Sequence, residues 1–273
     1  MGTMSALDTT SVDAKLAWAR NHFQIVQNEV IAWVNSKPHE ILFESNQEFS
    51  KFWLRVRLKG ERPDFMRWSL IIGDCVTNLR DTLDHLVYAI AHLPSSPNPT
   101  KRGKAAFVIA PSLKDFNAWS DSRLISVPGG VKDAVLSFQP FKRQTVPHLP
   151  PLLKVLADLA NGNKHRLLGV VLATPGLIDV EFVTTSGIIQ RPSFEIYKHD
   201  VRDGIPVCIW EFPIPDPQLQ LKRNSKIGLH VAIKHNAADG NTAFDADRTV
   251  FTALLDMLFT EVETVIETLK KLA

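Results

Sequence analysis

The sequence contains very little cysteine: Cys75 and Cys208 are the only two among 273 residues. No Cys-x-x-Cys pair is present, which excludes a disulfide framework and the usual cysteine-based zinc motifs. Both cysteines lie in apolar runs, where a thiol packs as a small hydrophobic group. A chain without disulfides is typical of a reducing compartment, so we expect a cytoplasmic protein.

Several other features are also missing. No uncharged apolar stretch reaches the roughly 20 residues of a membrane span, and the N-terminal residues do not resemble a signal peptide. We therefore expect no membrane partner. The net charge is only +2, from 31 basic and 29 acidic residues, which is not the signature of a dedicated nucleic-acid-binding protein. Phosphate-binding glycine loops and the G-x-S-x-G hydrolase turn are absent, and nothing predicts a cofactor.

Helical periodicity dominates the remaining sequence. Apolar residues recur at three- and four-residue steps over about 11–36, 65–93, 245–272 and from Leu152 onward, and each stretch predicts a helix. Two shorter helices are expected, at "SLKDFNAW", with Ser112 as its N-cap, and at "GGVKDAVLSFQPF". Gly162 is expected to interrupt the Leu152 helix. In the C-terminal helix, Glu261 is expected on the solvent side of the apolar stripe.

Strand patterns occur in two places. "KFWLRVRLKG" alternates apolar and basic residues, and "KAAFVIAP" reads as a short strand. After Thr174, four β-like runs separated by Gly, Pro and Asp predict an antiparallel meander, while "LLGVVLA" suits either helix or strand. We predict one α+β domain over 1–273: a helical bundle (about 11–172 and 245–273) with an antiparallel β-meander, the β-rich insert 174–236, packed at one side.

A polar stripe runs along the long predicted helix. At about 100° per residue, its members fall within roughly 60° of one another; they are Asp74, Asn78, Asp81, His85 and His92. The stripe has no Lys or Glu, although those residues usually dominate a solvated helix face. Short carboxylate, amide and imidazole groups favour fixed hydrogen bonds in a cleft, although a plain solvated face remains an alternative.

A second polar cluster, "NGNKHRLL", follows the Leu152 helix. Lys164, His165 and Arg166 can bind an anion together with Asn163, and His165 can transfer a proton near neutral pH. The alternative is a basic cap at a helix C-terminus, where cations are favoured.

The two polar blocks together carry a resemblance. "GDCVTNLRDTLDHL" followed by "NKHRLL" resembles a family of uncharacterised bacterial proteins that pair a GD-x-x-x-NLR-x-x-LDHL helix with a downstream NKHR segment. That resemblance implies a shared architecture. The stretch Arg80 to His85 is also similar to the motif of the HEPN superfamily, helical-bundle proteins that include metal-independent ribonucleases.

The HEPN similarity implies specific roles. His85 would be the acid/base or would orient the 2′-hydroxyl, Arg80 would stabilise charge on the phosphate, and Asp81 would fill the polar position after the arginine. RNA would then be the partner. His165 joins this catalytic set, and the expected substrate-binding residues are Lys164, Arg166, Asn163, Asn78 and Asp74. No metal is required for this chemistry.

Two alternatives stay open. In the first, the stripe is a buried structural network or a homodimer interface without catalysis, in which Arg80 pairs with Asp84 and Asp81 pairs with His85. In the second, carboxylate and imidazole groups of the stripe, completed by His165, bind a divalent metal in a helical bundle. The first alternative predicts pairing within the protein, and the second predicts a cluster of ligands.

Overall fold

A computed structural model shows a mixed α+β protein, which confirms the predicted fold class. The described residues are 7–36, 39–143, 151–173, 178–179, 182–183, 192–197, 201–221, 226–227, 230–234 and 248–273. Within them the helices are α1 Thr10–Asn35, α2 Phe65–Ala91, α3 Leu113–Arg123, α4 Gly129–Ser137, α5 Leu152–His165 and α6 Phe251–Lys270, with 3₁₀ turns Pro99–Lys104 and Pro140–Lys142.

The strands are shorter than the helices. They are β1 His39–Ser45, β2 Lys51–Leu58, β3 Gly169–Ala173, β4 Ile178–Asp179, β5 Phe182–Val183, β6 Ser193–Ile196, β7 Pro206–Glu211, β8 Gln220–Leu221, β9 Lys226–Ile227, β10 His230–Lys234 and β11 Arg248–Val250. The "LLGVVLA" run, which suited either type of element, forms strand β3. The C-terminal helix predicted from Asp245 begins only at Phe251, because the described residues Arg248–Val250 form strand β11 instead; residues 245–247 lie outside the described part of the chain.

The chain divides into two compact units. The helical unit comprises Met1–Gln27, Met66–Gly169 and His235–Ala273, and the sheet unit comprises Asn28–Phe65 and Val170–Lys234. The sheet unit therefore takes β1 and β2, which precede the long helix in sequence, together with the later β-rich segment.

The helical unit is a bundle built around α2. Its apolar face is fully buried along most of its length, from Trp68 to Ala91. The first helix packs on α6 through Phe23, whose ring meets Phe251 and Phe259. Arg20 pairs with Glu263 at the edge of that contact. Helix α6 also packs against α4 and α5. Lys15 of α1 bonds to Asp81 of α2, and Asn163 of α5 meets Gly73 of α2, so these helices are also in contact.

Helix α5 does not break at Gly162, contrary to the prediction. It continues to His165, and the Arg166 N–H donates to the Gly162 carbonyl at 3.0 Å. A single helical glycine costs only about 1 kcal/mol relative to alanine, a penalty that tertiary contacts easily exceed. The basic cluster therefore lies on and just after the last turn of α5.

Residues 105–110, in "KAAFVIAP", are not a strand, so this prediction is wrong. The Ala106 N–H donates to the Arg123 backbone carbonyl at 3.4 Å, and groups of Phe107, Val108 and Ala110 bond to side chains instead of a neighbouring strand. The buried amide of Gln139 accepts from the Ala110 N–H at 2.8 Å and donates to the Val108 carbonyl at 2.7 Å. Phe107 and Val108 are buried. The apolar pattern therefore predicted the burial of this segment correctly, but not which groups bond to its backbone.

The sheet unit contains a four-stranded antiparallel sheet of order β1-β2-β7-β6. Leu54 and Val56 of β2 are buried, as the alternation predicts, whereas Leu58 at the end of the strand is only half-buried. Across the sheet a group of aromatic rings packs together; its members are Phe43, Phe52, Phe182, Phe194, Trp210 and Phe212. Two short ladders, β4–β9 and β5–β8, and the pairing of β3 with β10 complete the described part of the unit.

One charged residue of α6 is placed differently from the prediction. The Glu261 side chain is only 14% exposed and accepts a hydrogen bond from Arg143 at 2.9 Å. Burial raises the pKa of its carboxyl, and the nearby Arg143 only partly offsets this effect. The buried stripe itself, from Leu254 to Leu269, agrees with the helical periodicity.

Candidate functional site

None of the residues of the predicted polar stripe of α2 is fully buried. Asp74 and His92 are exposed, and Asn78 and His85 are half-buried. The Asn78 amide donates to the Asp74 carbonyl at 2.8 Å, one helical turn away. The His92 Nδ1 lies 2.8 Å from the Tyr88 carbonyl oxygen, and the two rings stack at 4.0 Å. Much of the stripe is therefore engaged in local contacts along its own helix.

Asp81 pairs across to another helix. Its Oδ2 accepts from Lys15 Nζ of α1 at 2.9 Å, and both side chains are about one-third exposed. The expected Asp81–His85 pair is absent among the described contacts, so that part of the structural alternative is wrong. Lys15 of α1 is the partner of Asp81, instead of the His85 imidazole that the i, i+4 spacing predicted.

Arg80 and Asp84 do pair, as the structural alternative predicts. Arg80 Nη1 donates to Asp84 Oδ1 at 2.6 Å, and the Arg80 side chain is only 16% exposed. Together the two side chains bond to both backbone groups of Phe107, in the extended segment 105–110. Arg80 Nη2 donates to the Phe107 carbonyl at 2.7 Å, and Asp84 Oδ1 accepts from the Phe107 N–H at 2.9 Å. This pair therefore replaces the strand partner that the segment lacks.

The two polar blocks of the sequence meet at Gly73. The Asn163 side chain of α5 lies so close to the Gly73 Cα that a Cβ there would come within 2.0 Å of its Oδ1. The same amide donates to Thr77 Oγ1 at 3.1 Å. Because only glycine leaves this space, α5 can approach α2 closely at this turn. The contact brings the end of α5 beside the polar side of α2.

A recess of about 480 Å³ opens in the helical unit beside this contact. Three helices and the extended segment form its wall. The residues that line it are Thr77, Arg80, Asp81 and Asp84 of α2, Trp119 and Arg123 of α3, Ala157, Ala160, Asn161 and Lys164 of α5, and Ala106 and Ile109 of the extended segment. On α2 the lining residues are spaced i, i+3, i+4 and i+7, which places them on one face.

The charges in this recess are unequally compensated. Arg80 is paired with Asp84, and Asp81 is paired with Lys15. Arg123 and Lys164 have no carboxylate partner in the part of the chain that the structure describes. Arg123 instead extends toward the Trp119 ring, with its Cζ 6.0 Å from the ring centroid. The recess therefore offers two uncompensated cations beside an aromatic surface.

The structure brings together only part of the predicted site. Arg80, Asp81 and Lys164 line the recess. Asn163 lies against Gly73 and donates to Thr77 at the wall of the recess. Four other candidates are not among its lining residues: Asp74, Asn78, His85 and Arg166. His165 ends α5, but its side chain lies outside the described residues. On a helix Arg80 and His85 diverge by about 140°, which is why one recess takes only the first.

Sequence reasoning missed the wall formed by α3. Trp119 and Arg123 lie at i and i+4 near the end of a short helix whose sequence carries no recognisable motif. Thr77 was overlooked because the stripe was centred on Asp74, whereas Asn161 belongs to the predicted "NGNKHRLL" cluster but was not among its candidate site residues. A wheel centred between Thr77 and Asp81 would have selected the lining face of α2, but nothing in the sequence specifies that choice.

The described residues offer neither a grouped set of metal ligands nor an exposed thiol. Within the described residues, no group of three or more His, Cys, Asp and Glu side chains is arranged to hold a metal ion. Both cysteines are buried, and desolvation raises the pKa of each thiol to about 12. A thiol that remains protonated at neutral pH is a poor nucleophile, so neither cysteine fits a catalytic role.

No protein-family model matches the chain, and no curated protein or solved structure matches it significantly. None of the helices in the described part of the chain combines the length and the apolar character of a membrane span. Function must therefore be inferred from the chemistry of the recess itself.

Proposed function

We propose that this protein binds a small anionic ligand in the recess between α2, α3 and α5. The observation that carries the proposal is the position of Arg123 and Lys164, two cations in one recess whose other charged lining groups are already paired. An anion compensates both cations at once, and arginine suits the oxygens of a phosphate or carboxylate.

The surrounding groups support binding more directly than catalysis. Arg80 and Asp84 are committed to the Phe107 backbone, so they shape the wall of the recess. The Asn163–Thr77 contact fixes the distance between α5 and α2. Rigid supporting groups of this kind hold a binding site in place before the ligand arrives, which lowers the ordering cost of binding.

The test compares Lys164→Gln, Arg123→Gln and the double variant with wild type, using inorganic pyrophosphate in isothermal titration calorimetry at low ionic strength. We expect each single variant to bind about tenfold more weakly, the loss of one charge-assisted contact. The matched control is Lys154→Gln on the same helix, because Lys154 already pairs with Asp158 and does not line the recess. Undetectable binding by wild type, or an unchanged affinity in the double variant, would contradict the proposal.

Ribonuclease activity is a second candidate. Arg80, Asp81 and Lys164, which the sequence assigned to RNA cleavage and binding, line the same recess as Trp119, a side chain on which a base can stack. In this candidate the wild-type protein cleaves RNA in EDTA, and Lys164→Gln, which removes a cation from the recess, strongly reduces the cleavage without changing the melting temperature. Intact RNA after incubation with concentrated wild-type protein would exclude it.

A further inference from the structure

The geometry points to a nucleoside monophosphate as the ligand of this recess. The inference rests on the proposed anion site and names the chemical class of its occupant. It depends on three features found together: a partly exposed indole, two uncompensated cations, and a carboxylate with a free oxygen.

The indole provides a surface for a planar ring. Trp119 is 39% exposed although it lines the recess, so part of its side chain remains open to a ligand. Arg123 lies over the same ring, with its Cζ 6.0 Å from the centroid. Base–aromatic stacking contributes on the order of 1–3 kcal/mol per base. A bare anion would make no use of this ring.

The cations fit the phosphate end of such a ligand. Lys164 and Arg123 belong to α5 and α3, so a phosphate bound by both would join the two helices. The guanidinium offers paired N–H donors, and the ammonium adds a compact charge. Because both side chains keep high exposure, they remain free to adjust to a phosphate dianion.

Asp81 is the feature that a simple anion site does not explain. Its Oδ2 is held by Lys15, whereas its Oδ1 has no hydrogen-bond partner in the described part of the chain. A carboxylate would repel a bare anion, but it accepts hydrogen bonds from sugar hydroxyls or from the amino groups of a base. A ligand with both an anionic end and neutral donors satisfies Lys164, Arg123 and Asp81 together.

The size of the recess agrees with this class. Small-molecule sites typically enclose roughly 300–1,000 Å³, and about 480 Å³ is available here. Thr77 and Asn161 add a hydroxyl and an amide at the wall, groups that can both donate and accept hydrogen bonds. A ring, a sugar and one phosphate thus each have a chemically matched part of the lining.

The experiment measures the affinities of adenosine 5′-monophosphate, ribose 5-phosphate and pyrophosphate by calorimetry. We expect the nucleotide to bind at least tenfold more tightly than ribose 5-phosphate. Trp119→Leu should remove that advantage, whereas Trp119→Phe should retain most of it because a ring remains. Trp18→Leu is the matched control, since Trp18 is an exposed indole on α1 that does not line the recess. Melting temperatures establish that each variant is folded.

The outcomes distinguish a failure of the nucleotide assignment from a failure of the anion site. Equal affinities for nucleotide and ribose 5-phosphate, or a Trp119→Leu variant that keeps the nucleotide preference, would overturn the nucleotide assignment while the anion site stands. Failure of all three compounds to bind would overturn the anion site, and the nucleotide assignment with it.

Discussion

Gly73 is the residue on which the approach of α5 to α2 depends. Its missing side chain leaves the space that the Asn163 amide occupies, and Asn163 in turn donates to Thr77 at the wall of the recess. The two polar blocks of the sequence can therefore come into contact only because residue 73 has no Cβ. Residues of the two polar blocks are in direct contact in the fold.

Gly73→Ala should destabilise the protein by about 1–3 kcal/mol, the usual cost of overpacking a well-packed contact. The loss occurs even though alanine is the better helix former, because Asn163 must move. The measurement is urea unfolding followed by circular dichroism.

Two further variants sharpen this prediction. Asn163→Ala combined with Gly73→Ala should recover part of the loss, since the atoms in conflict are then absent. Gly130→Ala in α4 should be neutral or stabilising, because a Cβ at Gly130 meets nothing within 4 Å. A Gly73→Ala protein as stable as wild type would show that the close approach does not constrain the fold.

At the scale of elements, the extended segment 105–110 shows how side chains can replace a strand partner. Arg80 and Asp84 bind both polar groups of Phe107, and Gln139 binds Ala110 and Val108. Buried backbone groups must find partners, and here a helix and a loop supply them. The segment then closes one side of the recess through Ala106 and Ile109.

Asp84→Ala should cost about 1–3 kcal/mol, because it leaves the Phe107 N–H and the Arg80 guanidinium without their acceptor. The free energy of unfolding in urea measures this cost. Asp74→Ala on the same helix is the control, because Asp74 is exposed and its change should stay within about 0.5 kcal/mol. Equal effects of the two substitutions would refute the role assigned to the Arg80–Asp84 pair.

At the scale of the whole molecule, each unit contains one buried thiol. Cys75 lies in the core of the helical unit, and Cys208 lies in β7 of the sheet unit. Because burial raises the pKa of both thiols to about 12, almost no thiolate exists in the folded protein at pH 8. Each cysteine therefore reports the unfolding of its own unit.

Iodoacetamide should leave both cysteines unmodified in the native protein at pH 8. In a urea series, Cys208 should become alkylated at lower urea than Cys75, because the sheet unit has fewer residues and smaller units bury a smaller fraction of their surface. Mass spectrometry of the separated peptides gives both labelling curves. Superimposed curves would indicate that the units unfold as one, and native labelling of either thiol would contradict the burial.

Parts of the candidate site could be read from the sequence and parts could not. The polar residues on α2 and the cluster ending α5 were visible as departures from ordinary helix faces, and Arg80, Asp81 and Lys164 do share a recess. The lining residues Trp119 and Arg123 could not be found, because their importance comes from where α3 packs. His85 was selected for its chemistry, but helix geometry directs it away from Arg80.

The sequence by itself determined the α+β class, the long helices and their buried stripes, since a repeat of apolar residues fixes which face of an element leaves water. It also predicted the Arg80–Asp84 pair, because side chains four residues apart are neighbours on a helix, although the same spacing did not pair Asp81 with His85. The tertiary structure decided everything that depends on distant segments: Lys15 as the partner of Asp81, Asn163 over Gly73, and side chains as partners of the Phe107, Val108 and Ala110 backbone. Such contacts depend on how elements pack, which local periodicity does not specify.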